Sequence, residues 1–255
     1  MKLETLCKTT LKSEPKQSTL LGADCLHPLE SDTFLDIEAY KPVGDHIKVT
    51  LKTTFKGRNT WYAFQRHVAI VGEDDEIIFP ATVKLVVPYF DQLDNSQEPY
   101  GTCNVTSAAM CLSHQGATRR HPEYRFPDEL NRYCDKHGLD RHFPETLVTI
   151  IAAYGCKDEF TSVGTFNQLK RHLIQGKPAI VHGWFTASGH IIAVTGFNKS
   201  GFFVNDPYGE LMYDHGSDTG YYDTYASGHG LNYSYELMEN TCCTDNQFWL
   251  HRVSR

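Results

Sequence analysis

Residues 86–113 constrain the fold of this chain more than any other stretch. They read VVPYFDQLDNSQEPYGTCNVTSAAMCLS, which is an extended apolar segment, then a polar loop, then a run in which apolar side chains recur. From Val105 to Leu112 the apolar residues have the spacing of one face of an α-helix. Thr102 stands where an N-cap residue is expected. We therefore predict a helix that begins at Cys103.

A cysteine at the first position of a helix has an unusual electrostatic environment. It faces backbone N–H groups that have no intrahelical partner, and it lies at the positive end of the helix dipole. Both effects favour the thiolate over the thiol, and the thiolate is the nucleophilic form. Cys103 is therefore a candidate nucleophile. The alternative is a small apolar residue that opens a buried helix, and the rest of the chain decides between the two.

A histidine and an aspartate follow in an order that suits this nucleophile. His190 opens the apolar segment HIIAVTGF, and Asp206 closes the next one, GFFVND. In a hairpin centred on Lys199 and Ser200, these two side chains start and finish neighbouring strands and would be adjacent. Such a pair supplies a base and the carboxylate that orients it. Asn205 is the alternative orienting residue, although it would face the other side of the strand.

The chain around these residues has the pattern of an α+β domain. Helical spacing with start and stop signals predicts three helices, over residues 128–137, 144–154 and 165–175. From residue 178 the apolar segments predict strands of an antiparallel sheet. Residues 211–240 are rich in Gly, Asp, Tyr and Ser and predict a long irregular excursion, after which QFWLHRV predicts a closing strand. We place this α+β domain at residues 85–255.

Residues 1–75 have a different pattern, that of short strands separated by turns. Ile47, Val49 and Leu51 alternate with polar residues, as in a half-buried strand. The turn KGRN then leads into the segment TWYAFQRHVAIV, which predicts a hairpin. No helical periodicity occurs here, so we predict a small all-β barrel. The acidic run EDDE marks a break in composition and places a linker at residues 76–84.

Composition and charge exclude several classes of protein. The chain has 255 residues, 40% of them hydrophobic and 22% charged, which is typical of a soluble globular protein with one or two domains. No apolar run approaches the roughly 20 residues of a membrane span. The first residues, MKLETLCKTTLK, lack the apolar region of a secretory signal. The net charge of −7 without a basic stripe predicts no binding of nucleic acid.

The eight cysteines do not form a recognisable framework. None is part of a C-x-x-C pair, which argues against a zinc ribbon and against thioredoxin-like chemistry. The missing signal also argues against structural disulfides. Cys111 and Cys156 lie among apolar residues and are predicted to be buried. The adjacent pair Cys242–Cys243 has no evident role, and we expect it at the surface or at the end of a strand.

Five segments between residues 86 and 210 are similar to C39-like cysteine peptidases of the papain-like superfamily. They read VPYFDQLDN, GTCNVTSAAM, GKPAIVHGWF, SGHIIAVTGF and VNDPYGE. The resemblance implies a papain-like fold, with the cysteine on a helix and the histidine and the acid on a sheet. It further implies that Cys103 is the nucleophile, that His190 acts as general base and then as general acid, and that Asp206 orients His190.

The resemblance also implies a side-chain donor in the oxyanion hole, beside the backbone N–H of Cys103. Gln92, in the segment YFDQLDN, matches the motif of the family. Gln97 is the alternative, because it precedes the cysteine by six residues, the separation usual in papain-like enzymes with a shorter loop. The choice of Gln92 means that Asp94–Pro99 is an insertion.

Several further residues are candidates for contact with a substrate. We predict that Trp184, Tyr208 and Asn104 bind the substrate, and core packing is the alternative for the two aromatic residues. His182 lies on a strand next to that of His190 and is a candidate for the cleft. A hydrogen-bonded histidine within the sheet is the simpler interpretation of His182.

We expect neither a metal nor a cofactor. Asp214, His215 and His229 are close in sequence within the tyrosine-rich excursion. A metal site needs three or four convergent ligands, and the spacing of these residues does not suggest one. The chain also lacks the phosphate-binding motif G-x-x-x-x-G-K-[ST] of an ATP-driven transporter.

Residues 1–75 resemble bacterial SH3-like (SH3b) domains. The similarity lies in the segments LKSEPKQSTLLG, FLDIEAY, HIKVTL and NTWYAFQRHVAI. Modules of that family commonly bind cell-wall polymers or peptides, so the resemblance implies an SH3-like barrel that binds the cell wall. The alternative is a β-module that only packs against the next domain.

The two resemblances together imply a cysteine endopeptidase that hydrolyses peptide bonds of bacterial peptidoglycan, built like a phage endolysin. The alternatives are an N-acetylmuramoyl-alanine amidase, a C39 protease that processes leader peptides, and an inactive binding module on the same fold. We expect a monomer. Because no signal peptide is seen, we expect it to stay in the cytoplasm of the producing cell until lysis, or to be carried on a virion. It would then act at the cell wall.

Overall fold

The computed structural model describes residues 1–212 and 220–255. The chain separates into two compact units, Met1–Thr82 with Ile174–Gly176, and Val83–Leu173 with Lys177–Arg255. Asp214 and His215, considered above as metal ligands, lie outside the described residues. No helix in the described part of the chain is long and apolar enough to cross a membrane.

The first unit is built on one long antiparallel sheet. Its strands are β1 (Lys2–Thr5), β2 (Thr9–Lys12), β3 (Leu26–Leu29), β4 (Phe34–Val43), β5 (His46–Phe55), β6 (Arg58–Phe64), β7 (Val68–Val71) and β8 (Ile77–Phe79). They lie in the order β3-β2-β6-β5-β4-β1-β7-β8. The predicted hairpin is the pair β5 and β6, joined at the KGRN turn, where Phe55 pairs with Arg58.

Alternating side chains give this unit its core. Ile47, Val49 and Leu51 are buried on one face of β5, and they pack with Trp61 of β6. The edge strands of this sheet are β3 and β8, and they do not pair with each other. The described strands therefore do not form the closed SH3-like barrel that the sequence predicts. Alternation along a strand determines which face is buried, whereas closure requires a match of strand number and stagger.

The second unit contributes the helices of the fold. They are α1 (Cys103–His114), α2 (Phe126–His137), α3 (Pro144–Ala153), α4 (Phe166–Ile174) and α5 (Tyr235–Cys242). The first four begin and end within two residues of the predicted positions. Helix α5 falls in the predicted excursion and was missed, because it is short. Its start is capped by Ser234, whose hydroxyl accepts a hydrogen bond from the N–H of Leu237.

The strands that follow the helices form an antiparallel sheet with one short strand from the start of the unit. They are β9 (Val83–Lys84), β10 (Lys157–Thr161), β11 (Ala179–Gly183), β12 (His190–Phe197), β13 (Gly201–Asn205), β16 (Leu231–Ser234) and β17 (Leu250–Ser254). The order is β10-β17-β11-β12-β13-β16, and β9 pairs with β12. A separate antiparallel pair consists of β14 (Glu210–Met212) and β15 (Tyr221–Asp223).

The segment predicted as a linker, residues 76–84, contains strands of both units. Within residues 76–84, β8 pairs with β7 in the first unit, and β9 pairs with β12 in the second. The prediction followed the acidic run EDDE and gave too little weight to the apolar residues IIF, which are suited to a strand. Only residues 80–82 lie between the two strands.

Close packing of α1 against the sheet positions the candidate nucleophile. Ala108 and Ala109 are fully buried, and their small side chains let the helix approach β12. The hydroxyl of Ser107 donates to the carbonyl of Ile191 in β12 at 3.1 Å. These contacts hold the first residue of the helix, Cys103, beside the first residues of β12.

A glycine in β12 allows β9 to pair with it, and its substitution should destabilise the second unit. A Cβ at Gly196 would lie 2.1 Å from the carbonyl oxygen of Val83. We expect Gly196→Ala to lower the free energy of unfolding by about 1–3 kcal/mol, the usual cost of overpacking. Urea denaturation followed by tryptophan fluorescence measures this change.

Gly22→Ala is the matched control. A Cβ at Gly22 meets no atom of the described residues within 4 Å, and the backbone there is extended. We expect its stability to stay within about 0.5 kcal/mol of the wild type. Equal stability of the two variants would contradict this description of the β9–β12 contact.

Candidate active site

Cys103 lies at the start of α1, where the helix leaves its N–H groups open. Thr102 occupies the position before the helix, but its side chain makes no capping bond. Its hydroxyl instead accepts a hydrogen bond from the Asn95 amide at 2.9 Å. The prediction that Thr102 caps the helix is therefore wrong for its side chain. The open N–H of Asn104 donates to the sulfur of Cys103.

The surroundings of Cys103 favour its thiolate. Burial by itself raises the pKa of this thiol. A hydrogen bond and the charge of His190, with backbone N–H donors from Ile191 and Asn104, outweigh burial and lower the pKa below its usual value. The residue as a whole is only partly buried.

His190 and Asp206 meet at the end of neighbouring strands. Nε2 of His190 lies 2.8 Å from Oδ1 of Asp206, the residue that directly follows β13. Burial lowers the pKa of His190, but the charge of Asp206 and the hydrogen bonds to Asp206 and Cys103 raise it to about 10. Asn205 points elsewhere: its side chain donates to the carbonyl of Val87 and accepts from the N–H of Gly230. The carboxylate of Asp206 is thus the group that faces His190.

Among the described residues, four donors reach the buried carboxylate of Asp206, whose side chain is 0% exposed. Oδ1 accepts from His190 and from the backbone N–H of Tyr208 at 3.0 Å. Oδ2 accepts from the hydroxyls of Tyr222 at 2.9 Å and Tyr233 at 2.8 Å. Sequence reasoning missed both tyrosines, because they lie in the segment that it assigned to an irregular excursion. The density of tyrosines in that segment was the signal.

Gln92 is anchored next to this cluster. The residue is 2% exposed and starts a short 3₁₀ turn, Gln92–Asp94. Its backbone N–H donates to the carbonyl of Pro207, the neighbour of Asp206, at 2.8 Å. Its side-chain Nε2 donates to the carbonyl of Pro99 at 2.8 Å, and its Oε1 has no hydrogen-bond partner among the described residues.

Gln97, the alternative donor, also has a buried Oε1 without a partner among the described residues. Its loop is held by Asn95, whose amide donates to the hydroxyls of Thr102 and Thr106, both at 2.9 Å. Oδ1 of Asn95 accepts from the guanidinium of Arg125 at 2.7 Å. These bonds hold the loop that contains Gln92 and Gln97 against the start of α1, where Cys103 lies.

The predicted substrate-binding residues differ in what they offer. Trp184 is 61% exposed and directly follows Gly183, the cross-strand partner of His190. The ring of Tyr208 is half-buried and lies 6.0 Å from that of His190. Asn104 is 2% exposed, and its amide donates to the carbonyl of Arg141 at 2.7 Å. The side chain of Asn104 is thus hydrogen-bonded within the protein, which the sequence did not predict.

His182 belongs to a separate hydrogen-bonded chain. Its Nε2 lies 3.0 Å from Nε2 of His251, and Nδ1 of His251 lies 2.6 Å from Oδ2 of Asp158. Burial, followed by the charge of His251, lowers the pKa of His182 to about 3. The histidine is therefore neutral and structural at neutral pH, as the simpler interpretation predicted.

Of the three residues considered as metal ligands, the structure describes His229. His229 packs against Tyr89, with ring centroids 5.6 Å apart. Over residues 1–212 and 220–255, no group of three or more His, Cys, Asp or Glu side chains is arranged to hold a metal ion. Cys242 is buried at the end of α5, whereas Cys243, which follows the helix, is exposed.

Comparison with solved structures finds two matches at low sequence identity. One is a double glycine motif protease from an AMS/PCAT transporter in complex with its leader peptide, which is 16% identical with a TM-score of 0.40. The match covers 67% of this chain and 93% of that one. The other is a C39-like peptidase from Bacillus anthracis, 16% identical with a TM-score of 0.45, covering 68% of this chain and 98% of that one. No curated protein matches the sequence.

The sequence itself matches the model of the Peptidase_C39 like family over residues 84–243. The matched region is well over half of the chain and contains Gln92, Cys103, His190 and Asp206. This chain belongs to the C39-like family of cysteine peptidases.

Proposed function

We propose that the chain hydrolyses peptide bonds with Cys103 as the nucleophile, His190 as general base and acid, and Asp206 as the residue that orients His190. The observation that carries this proposal is the row of contacts in which Cys103, at the start of α1, is hydrogen-bonded to His190, and Nε2 of His190 lies 2.8 Å from Oδ1 of Asp206. These surroundings shift the two pKa values in opposite directions, downward for Cys103 and upward for His190. At neutral pH they favour a thiolate beside an imidazolium. Such a pair holds a nucleophile and a proton donor side by side.

The reaction takes two steps. The thiolate attacks the carbonyl carbon, and the imidazolium of His190 donates its proton to the leaving amine as the C–N bond breaks. A thioester remains on Cys103. His190 then accepts a proton from water, which attacks the thioester, releases the carboxylic acid and restores the ion pair. Nε2 of His190 is held by Asp206, so Nδ1 is the nitrogen available to carry this proton.

Gln92 is the proposed oxyanion donor, together with the backbone N–H of Cys103. Its backbone is tied to Pro207, beside Asp206, and its amide is held by Pro99. A donor held in this way needs little reorganisation when the negative charge develops on the carbonyl oxygen, which is the condition for effective electrostatic stabilisation. Gln97 is the alternative donor, and alanine substitution of each glutamine distinguishes between them.

The proposed substrate is a peptide of bacterial peptidoglycan, bound in a groove that includes Trp184 and Tyr208. The motivation for this substrate is the resemblance of four sequence segments within residues 1–75 to SH3b modules, which commonly bind cell-wall polymers or peptides, and the strands of this unit do not close into the barrel of those modules. The exposed indole next to the strand of His190 suits a site that takes an external chain. Leader peptides, such as the one bound to the transporter protease, are the alternative substrate.

Digestion of purified peptidoglycan tests the function. We expect the wild type to release fragments with new amino termini in stem or bridge peptides, and Cys103→Ala to lose about 10³-fold or more of this rate. Mass spectrometry identifies the bond. Cys243→Ala, which removes an exposed cysteine outside the site, is the control and should keep full activity.

Other outcomes of this digestion have definite meanings. Lactyl-linked glycans with intact peptides would make the chain an amidase. Cleavage of leader peptides alone, or no release from several types of wall, would exclude peptidoglycan as the substrate. An unaltered rate in Cys103→Ala would remove Cys103 from the mechanism.

Thiol alkylation tests the ion pair without any substrate. At pH 6 an ordinary cysteine is almost entirely a thiol, whereas a Cys103 paired with an imidazolium is a thiolate. We expect iodoacetamide to label Cys103 at least about tenfold faster than Cys243. Cys243 is an exposed residue, and the partial desolvation of its thiol, together with the charge of Glu239, raises its pKa. In His190→Ala this advantage should disappear. Equal labelling of the two cysteines in the wild type would contradict the ion pair.

Substitution of each glutamine identifies the oxyanion donor. Gln92→Ala should lower kcat by roughly 10²–10³-fold with little change in KM, because the donor acts mainly in the transition state. Gln97→Ala should stay within about threefold of the wild type. Initial rates on soluble peptidoglycan fragments measure both. A large loss in Gln97→Ala alone would exchange the two assignments.

A further inference from the structure

Two hydroxyls meet on the one oxygen of Asp206 that His190 does not use. We propose that Tyr222 and Tyr233, here called the tyrosine clamp, are positioning residues. They hold the Asp206 carboxylate and limit how strongly this carboxylate favours the protonated form of His190. The effect on turnover rests on the proposed function, whereas the effect on the imidazole does not.

The clamp is built from two separate elements. Tyr233 comes from β16, which pairs with β13, and Tyr222 comes from β15, outside that sheet. Their hydroxyls donate to Oδ2 of Asp206 at 2.8 and 2.9 Å. Burial and the charge of Asp206 raise the pKa of both phenols, so they stay protonated and act as donors. Two elements that converge on one carboxylate oxygen fix its rotation as well as its position.

The chemical consequence follows from charge. A carboxylate buried from water depends on hydrogen-bond donors to stabilise its negative charge. Donors on Oδ2 draw charge away from Oδ1, the oxygen that faces His190. The imidazolium is then held firmly in place but binds its proton less tightly than it would beside a bare carboxylate. A less basic imidazole protonates a leaving amine more readily.

Other groups that face the pair do not share this role. Cys103 is hydrogen-bonded to His190 and acts on the imidazole directly. The hydroxyl of Tyr89 donates to the backbone carbonyl of Asp206 at 3.1 Å, not to its carboxylate. Asp91 acts on Asp206 only through its charge. In the described part of the chain, the clamp therefore has Oδ2 to itself.

Phenylalanine substitutions isolate the hydroxyls. The ring of Tyr222 lies 5.5 Å from that of His190, and phenylalanine keeps this contact. Tyr235→Phe is the matched control, because its hydroxyl donates to the carbonyl of Asn198 at 2.7 Å, away from Asp206. Each variant loses the hydrogen bond that its hydroxyl donates, and Tyr233→Phe also loses the one that its hydroxyl accepts from the N–H of Leu211 at 3.3 Å. Tyr222→Phe and Tyr235→Phe should therefore unfold at similar temperatures.

The experiment follows the titration of His190 by NMR in protein labelled at its histidine rings. The resonance is assigned by its absence from His190→Gln. We expect Tyr222→Phe and Tyr233→Phe each to raise the midpoint by about half to one pH unit, the value of roughly one hydrogen bond. The alkaline limb of kcat/KM should move with it, and kcat should fall up to about tenfold. Tyr235→Phe should change neither.

Two results would overturn the clamp. One is a His190 midpoint in both clamp variants equal to that of the wild type. The other is a shift of the same size in Tyr235→Phe, which would indicate a general loss of packing. If the midpoint rises in the clamp variants but no protein cleaves peptides, the clamp stands and the proposed function fails. If the wild type cleaves and the midpoint does not move, the function stands and the clamp fails.

Discussion

The ion pair between His190 and Asp206 is buried, and a buried charge is expensive unless donors surround it. The second unit supplies those donors from several elements around β12 and β13. The backbone after β13 provides the N–H of Tyr208, and β15 and β16 provide two hydroxyls. The segment that follows Asp206, from Pro207 to the start of α5, carries no other member of the Cys–His–Asp group, and its donors hold the Asp206 carboxylate in place.

The same logic explains why the candidate nucleophile sits at a helix end. Small residues let α1 approach β12 closely, and the first turn of the helix meets the first residues of the strand. Because Thr102 does not cap the helix with its side chain, a backbone N–H remains available to the sulfur of Cys103. Helix and strand each contribute a donor, and the thiolate is stabilised by the fold as well as by His190.

The sequence was informative where the structure depends on local pattern. Helical spacing predicted α1 to α4, and the hairpin between β12 and β13 predicted the contact of His190 with Asp206. It failed where partners are distant in the chain. The unclosed sheet of the first unit, the internal hydrogen bond of Asn104 to the carbonyl of Arg141 and the tyrosines on Asp206 all depend on pairings that no local period encodes.

The described residues of the second unit include two histidine–aspartate pairs, and their comparison shows what suits one of them to the proposed reaction. His251 lies 2.6 Å from Asp158, much as His190 lies 2.8 Å from Asp206. The partner on the far side differs: it is the neutral His182 in the first pair and Cys103 in the second. In the second pair, the imidazolium of His190 stabilises an anion, the thiolate of Cys103, whereas in the first pair His251 faces a neutral imidazole. Residue type and spacing alone do not distinguish the two pairs. The group that contacts each histidine on its other side does, His182 in one pair and Cys103 in the other.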